Sequence, residues 1–535
     1  MRRHLLAAVL FAFFSAPALA DDKRPEPHIV VQAQPLAAWL LNVQAITAKY
    51  PPALQKPLTA MTDSGAAKEF FAAIDKSKRF GLYVNFLGKI EATEIVFLLP
   101  VKDEKAFWKL METIGAQVRL EKNFHEMTLF GETWYVRFRD GYANIARRVD
   151  SLGDIRLLKP DEVFDVRDKS LASVRGHVDK LPDDLRKQMN EEVAQFIKNL
   201  PPGMPGNYPQ MFKNLAEFGN MILTGGRDLT IKLDLDTKSG ELTLAGALTG
   251  KPGSDLEKYY GDLKRTRSRF AGLLGPDATA FFTQSYPLGT TITGFQNISP
   301  EMVPMFASML QQGLAKEGIN IAVEKVETFL KTVFACLAVD ATDGAYILFG
   351  NKAGQYAVMY AMHIKDGQKA DAALRAFIAE FPKEVREKYQ LRTTKVDGVN
   401  LHRFKLGAVV SDEIRGVFGS DEVALAVRDD AIFVAFGAEG AAKVRAGLAA
   451  TPQPAPLFSL EVAADRIWPL VEGVTTKNDS EKKVAKQLRE LLGDEKGRTR
   501  LLYVSREGGS AVNVRVSTDL RALLKLILAI QAMEK

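Results

Sequence analysis

A chain of 535 residues is too long for one ordinary hydrophobic core, so two or more domains are expected. A hydrophobic share of 47% beside 25% charged residues excludes both a disordered chain and one built of membrane spans. The formal charge of +6 is a weak field on a chain this size, mildly favourable to anionic partners and no reason to expect nucleic acid.

The first twenty residues read as a secretory leader. Arg2, Arg3 and His4 form a basic start, Leu5 to Phe14 an apolar core, and Ser15 to Ala20 a small-residue cleavage region. Cleavage between Ala20 and Asp21 is expected, which puts the mature protein in the periplasm or outside the cell. It would begin without Cys, so no lipoprotein anchor is expected. The apolar core is too short to span a bilayer, and no later run reaches that length. The one cysteine, Cys336, lies in the helical run VETFLKTVFACLAV. It can form no internal disulfide, and its apolar neighbours predict a buried structural thiol.

After a polar arm, HIVVQA (His28 to Ala33) reads as a strand, and Pro35 opens a helix to Ala48. A short helix is expected over Ala66 to Lys76. Two strands and a helix follow between Gly81 and Ile114, then four short strands: Gln117 to Lys122, His125 to Phe130, Thr133 to Arg139 and Tyr142 to Arg147. Asp140-Gly141 between the last two signals a tight hairpin. Ala172 to Val178 is a strand and Asp183 to Asn199 a helix; the loop PPGMPGNYP separates it from a helix ending near Leu223. Asp228 to Asp236 and Glu241 to Thr249 form a hairpin, after which Ser254 caps a helix running towards Leu274.

From Asp277 the order begins again. A strand, helices over Pro300 to Lys316 and Ala322 to Val339, a strand pair with its helix, and hairpins at Asp397-Gly398 and Asp429-Asp430 follow in turn. Glu439 to Ala449 is helical, Leu457 to Ala463 a strand, Ser480 to Leu492 a helix, Thr499 to Ser517 a hairpin, and Leu520 to Met533 a closing amphipathic helix. GLYVNFL at Gly81 matches GAYILFG at Gly344, and Lys102-Asp103 matches Lys365-Asp366 at the same offset. HIVVQAQPL matches TAFFTQSYPL, and WYVRFRDGYANIA matches ALAVRDDAIFVAF. Consecutive strands on tight turns are antiparallel. The expected architecture is therefore α+β, in two tandem related copies, residues 21–275 and 276–535, each mainly antiparallel sheet with interspersed helices.

The repeated strand–strand–LPVKD–helix unit and the hairpin–helix unit TKSGELTLAGALTGKPGSDL resemble those of uncharacterised exported bacterial proteins of planctomycete type, built from duplicated α+β modules. The resemblance implies export and fold type, and carries no catalytic residues across.

No familiar chemistry stands out. The six histidines are scattered, with no HExxH, no GxSxG elbow occurs, and SEKK at Ser480 reads as a capped helix start. GALTGKP at Gly246 lacks the spacing and hydroxyl of a phosphate loop. DLDTKSG at Asp234 lacks the ligands of a calcium loop and reads as a turn. No catalytic, cofactor or metal residue is assigned, and no cofactor is expected. Two basic features are candidates for binding. Lys264, Arg265, Arg267 and Arg269 would line a helix, able to meet an anionic polymer or headgroup. On the hairpin at Asp140, alternation puts Tyr135, Arg137 and Arg139 on one face, with Tyr142 opposite Arg139 and Asn144 opposite Arg137. Such a face could hold a carboxylate, phosphate or sugar.

The leading expectation is an exported, non-catalytic envelope protein that binds or scaffolds a partner, either an anionic envelope component or another exported protein. One alternative is a carrier of an apolar or lipid ligand in a cleft between the copies. The other is a hydrolase whose site is assembled from residues distant in sequence.

Overall fold

The structure, a computed structural model, describes residues 27–48, 65–87, 93–121, 124–129, 131–198, 208–263, 267–287, 303–316, 318–337, 339, 341–390, 392–407, 410–463, 466–467, 469–470, 498–507 and 511–519. The leader, the helix read at Ser480 and the closing helix lie outside these residues. The chain divides into two units, Met1–Met204 with Leu215–Glu257, and Pro205–Asn214 with Lys258–Lys535. No described helix is long and apolar enough to cross a membrane.

The first unit runs β1 Ile29–Ala33, α1 Leu36–Thr47, α2 Gly65–Ala73, β2 Phe80–Asn85, β3 Glu94–Pro100, α3 Glu104–Thr113, β4 Gln117–Leu120, β5 His125–Leu129, β6 Glu132–Arg139 and β7 Tyr142–Ala146. The one-turn α4 Pro160–Val163, β8 Ala172–His177, α5 Asp183–Lys198 and α6 Tyr208–Gly225, which belongs to this unit from Leu215 on, lead to β9 Gly226–Leu235, β10 Glu241–Gly250 and the start of α7 Asp255–Asp262. Its strands lie side by side in the order β4-β5-β6-β7-β3-β2-β1-β8-β9-β10, each antiparallel to its neighbours.

The second unit holds β11 Arg267–Ser268, β12 Ala278–Pro287, α8 Val303–Lys316, α9 Val323–Leu337, β13 Ala341–Phe349, β14 Ala357–His363, α10 Gly367–Ala379, α11 Lys383–Lys388, β15 Arg392–Val396 and β16 Val399–Lys405. It continues with α12 Asp412–Phe418, β17 Glu422–Arg428, β18 Ala431–Gly437, α13 Gly440–Ala449, β19 Gln453–Pro454, β20 Phe458–Ala463, β21 Arg498–Glu507 and β22 Ala511–Asp519. The order β15-β16-β17-β18-β14-β13-β12-β20-β21-β22 repeats that of the first unit strand for strand. The α+β class and the like strand order of the two units thus follow from hydrogen-bond topology alone.

Strand β3 shows why helices must flank the sheet. Its sequence, EIVFLLP, is apolar on both faces, the mark of a strand covered twice. Val96 and Leu98 pack on one side with Leu157, Leu158 and Phe164. Phe97 and Leu99 pack on the other against the cluster of Phe107, Leu110 and Trp134. In the second unit one face is sealed by α13, where Val444 and Leu448 meet Phe433, Ile347 and Met359. Part of the other face is covered where α9 and α10 bring Cys336 and Ala370 against Ile364 and Val427. Cys336 is buried, and burial pushes its thiol pKa up, so it is a structural thiol as expected.

The matched Lys-Asp pairs occupy one structural role. Lys102 N–H donates to the Ala73 carbonyl at the end of α2, and Lys365 N–H to the Cys336 carbonyl near the end of α9. The preceding residues bond across to the hairpin turn, Val101 to Gly141 and Ile364 to Asp430. The caps themselves differ. Asp103 is extended and its Oδ1 accepts from Ala106 N–H at 2.9 Å, whereas Asp366 is left-handed at φ 53° with no side-chain cap bond. A Cβ on Gly367 would lie 2.0 Å from the Arg428 carbonyl oxygen, so this helix start presses on the β17–β18 turn in a way only glycine allows.

Two expectations are corrected. Gly81 pairs with Leu98, but Gly344 pairs with Met362, one position beyond the equivalent of Leu98 at the common offset. A one-residue slip exchanges faces. Tyr83 is accordingly 1% exposed while Tyr346, its partner in the sequence match, is 50% exposed. The helix capped by Ser254 ends at Asp262 instead of running towards Leu274. Ser254 Oγ does accept from Glu257 N–H, at 3.2 Å. Beyond it, Arg267 and Ser268 pair with Pro454 and Gln453, and these strand bonds replace the helical ones.

Replacing the extended cap, Asp103→Ala, should cost about 1 kcal/mol locally and speed amide exchange in α3 roughly five-fold. Asp366→Gly should leave exchange in α10 unchanged or slower, because glycine suits the left-handed angle. Hydrogen exchange resolved by peptide reads both.

Candidate functional site

The most organised polar cluster lies in the second unit, between α10 and the β15–β16 hairpin. Asp371, on the second turn of α10, is 7% exposed, and His402, in β16, is 4% exposed. His402 Nε2 lies 3.0 Å from Asp371 Oδ1, and Nδ1 lies 2.9 Å from Thr393 Oγ1. Thr393 is the residue directly opposite His402 in β15, and it is exposed. Asp371 Oδ2 accepts from Asn400 Nδ2 at 2.8 Å and Arg375 Nε at 2.9 Å. Burial alone would raise the Asp371 pKa, but hydrogen bonds from His402, Asn400 and Arg375 outweigh it and hold it below the ordinary carboxylate range.

The Asp371 contact settles one ring nitrogen. An ionised carboxylate only accepts, so Nε2 carries the proton towards Asp371. In the neutral imidazole Nδ1 is then the lone pair and accepts from the Thr393 hydroxyl, whereas in the imidazolium it donates to Oγ1. Hydroxyl, imidazole and carboxylate stand in the order of a nucleophile, its base and the group that orients the base.

A second cluster lies in the first unit. His177 and Asp228 are opposite residues of β8 and β9, with Nδ1 to Oδ1 at 3.0 Å. Together with Asp179 they bring three candidate ligand atoms within 4.8 Å of one another. One His and two carboxylates suit a divalent cation by donor type. One arginine competes for these groups, Arg227 Nε donating to Asp228 Oδ2 at 2.7 Å, while Arg186 Nη2 bonds only the Asp179 backbone carbonyl, at 2.7 Å.

The residues singled out from sequence fall into three groups. On the Asp140 hairpin the register is as expected, Arg139 opposite Tyr142 and Arg137 opposite Asn144. Asp140 and Gly141 have φ of 54° and 75°, as a tight primed turn requires. The face itself is engaged within the chain. Arg137 donates to the Leu152 carbonyl and to Asp154, both at 2.7 Å, and Arg139 pairs with Asp140 and Asp154. Tyr142 and Asn144 are buried; Tyr142 O–H donates to the Arg79 carbonyl, and burial raises its pKa to about 12. Tyr135 packs edge-on against Phe124.

In the basic run, Lys264 and Arg265 lie outside the described residues. Arg267 donates to the Pro452 carbonyl at 2.9 Å. Arg269 is held between Asp343 Oδ2 at 3.5 Å and Asp430 Oδ2 at 3.0 Å. Neither is on a helix. Asp343 itself is buried; burial raises its pKa, against the hydrogen bonds from Arg269, and its Oδ1 has no hydrogen-bond partner.

The rejected motifs are ordinary elements: GALTG is part of β10, and Asp236 accepts from Lys238 N–H and Ser239 O–H within a turn. A cavity of about 390 Å³ in the second unit is lined by Gly272, Asp277, Phe349, Lys443 and Gln453. Its cation is already committed, with Lys443 Nζ 2.5 Å from Asp277 and 4.4 Å above the Phe349 ring. No family model, curated protein or solved structure matches this chain.

Sequence reasoning missed both clusters, because their members lie 31 and 51 residues apart and meet only through strand pairing and helix packing. The one local signal was Asp371 with Arg375 at helical spacing, which reads as a solvated pair.

Because the Asp371 pKa is depressed in the folded state, its stabilisation is present at neutral pH and lost as pH falls below about 4, the unfolded value. Asp371→Asn should therefore lower the urea midpoint at pH 7 and converge with the parent at acid pH. Urea titrations at the two pH values check this.

Proposed function

We propose that this chain is an exported binding protein that holds an apolar ligand of the lipid class on the outward face of its second sheet. Two rows of side chains cross that face. One is Leu460, Phe282, Tyr346, Tyr360, Val434 and Leu425; the other is Val462, Ala280, Leu348, Val358, Phe436 and Val423. The opposite face of the same strands is buried under α13, with Ala345, Ile347, Ala361 and Phe433 all at 0% exposure. On the outward face Tyr346 and Val358 stand 50% and 38% exposed. Val423 is buried and Leu425 packs under the covered end, so the open part centres on Tyr346 and Val358 with half-buried apolar residues around them. A contiguous apolar patch left open marks an interaction site, whereas scattered apolar residues do not. This open face is the observation that carries the reading. The polar groups favoured from sequence point the same way, since those described spend their hydrogen bonds inside the chain. Export is supported by the leader pattern of the first twenty residues.

The decisive measurement is native mass spectrometry of the protein purified from its own envelope. A mass beginning at Asp21, with an additional species released by organic solvent, is the expected outcome. The chain should also enhance the fluorescence of N-phenyl-1-naphthylamine, and Tyr346→Lys should weaken that binding at least ten-fold. A clean apo mass with no dye binding would sink the proposal.

A further inference from the structure

The Thr393–His402–Asp371 chain of hydrogen bonds supports a second, independent function. We infer that Thr393 is an activated nucleophile, able to take an acyl group from an ester. Three observations converge on it. The hydroxyl oxygen lies 2.9 Å from His402 Nδ1, the nitrogen that is free to accept a proton when the imidazole is neutral, within the usual range of a nucleophile–base hydrogen bond. The base is fixed by a buried carboxylate at 3.0 Å, whose other oxygen is saturated by Asn400 and Arg375. Finally, burial is graded: Asp371 and His402 are enclosed while Thr393 is an exposed residue. A purely structural tie between α10 and the hairpin needs His402, Asp371 and Asn400. It does not need the hydroxyl of an exposed threonine on the remaining imidazole nitrogen.

In the step assigned, Thr393 Oγ1 bonds to the carbonyl carbon of the ester while its proton passes to His402 Nδ1. Collapse of the tetrahedral intermediate breaks the bond to the alkoxy oxygen, which takes that proton and leaves as an alcohol. Water repeats the sequence on the acyl-threonine, releasing a carboxylic acid and restoring the hydroxyl. No redox change occurs. Asp371 is a positioning residue throughout. Lys395, two residues along β15 and on the same strand face, is opposite Asn400 and supplies a positive charge on that side. The expectation of a protein without chemistry would then fail for the second unit.

The test uses the full mature chain and a fluorophosphonate, which phosphonylates activated hydroxyls, followed by peptide mapping. The expected result is one label per chain, on Thr393. Thr393→Ala should lose it, and Thr393→Ser should keep or accelerate it. His402→Gln should slow it at least a hundred-fold. Because Thr393 is exposed, the alanine variant should melt at the parent temperature, so lost labelling reports on the hydroxyl and not on unfolding. Labelling of the parent no faster than of Thr393→Ala, or labelling at another residue, would overturn the assignment. Lipid binding and labelling are separate readouts, so either proposal can fail alone.

Discussion

A strand that is apolar on both faces has to be covered twice, and most of this architecture follows from that demand. Burying a large aliphatic or aromatic side chain is worth about 1.5–3 kcal/mol, so leaving a whole face of β3 or β14 to water would forfeit much of a domain's stability. The first unit meets the demand with α2 and α3 on one side of β3 and the segment around Leu157 and Phe164 on the other. The second meets it fully on one side, under α13, and on the other covers the end nearest Met362 and Ile432 while Tyr346 and Val358 stay open. The two units share a strand order and differ in how completely they obey one constraint. That difference is where the proposed ligand would sit.

Much of this was legible in the sequence because it depends on short-range rules. Asp140-Gly141 and Asp397-Gly398 both adopt positive φ at both turn positions, which fixes the register of their hairpins. The Lys-Asp pairs mark equivalent helix starts because the lysine N–H closes onto the preceding helix in both units. What was not legible depends on which face of a strand is covered. Tyr142 and Asn144 alternate with apolar neighbours and read as a solvated rim, but the sheet is covered there too. The match of Gly81 to Gly344 failed for a related reason. Gly81 is required where a Cβ would lie 2.0 Å from the Val31 carbonyl oxygen, a closeness that Gly344 does not share.

The basic run illustrates how tertiary hydrogen bonds override local propensity. Ser254 starts a helix as its sequence predicts, yet Arg267 and Ser268 enter a strand pair and Arg269 is drawn to two aspartates. Four positive charges in six residues look like a surface for an anion. Where the guanidinium of Arg269 is described, it neutralises carboxylates of its own chain.

The same accounting bears on the Asp371 cluster. A buried carboxylate is costly unless its lone pairs are taken up, and here three donors take them up. Stability alone would be served as well by an apolar contact between α10 and the hairpin, since a well-packed apolar replacement is often neutral or better. A buried carboxylate and imidazole that reach the surface through an exposed threonine and the half-exposed Arg375 are therefore only partly explained as a fastening. The proposed role of the Thr393 hydroxyl would account for the remainder, because there its proton has somewhere to go.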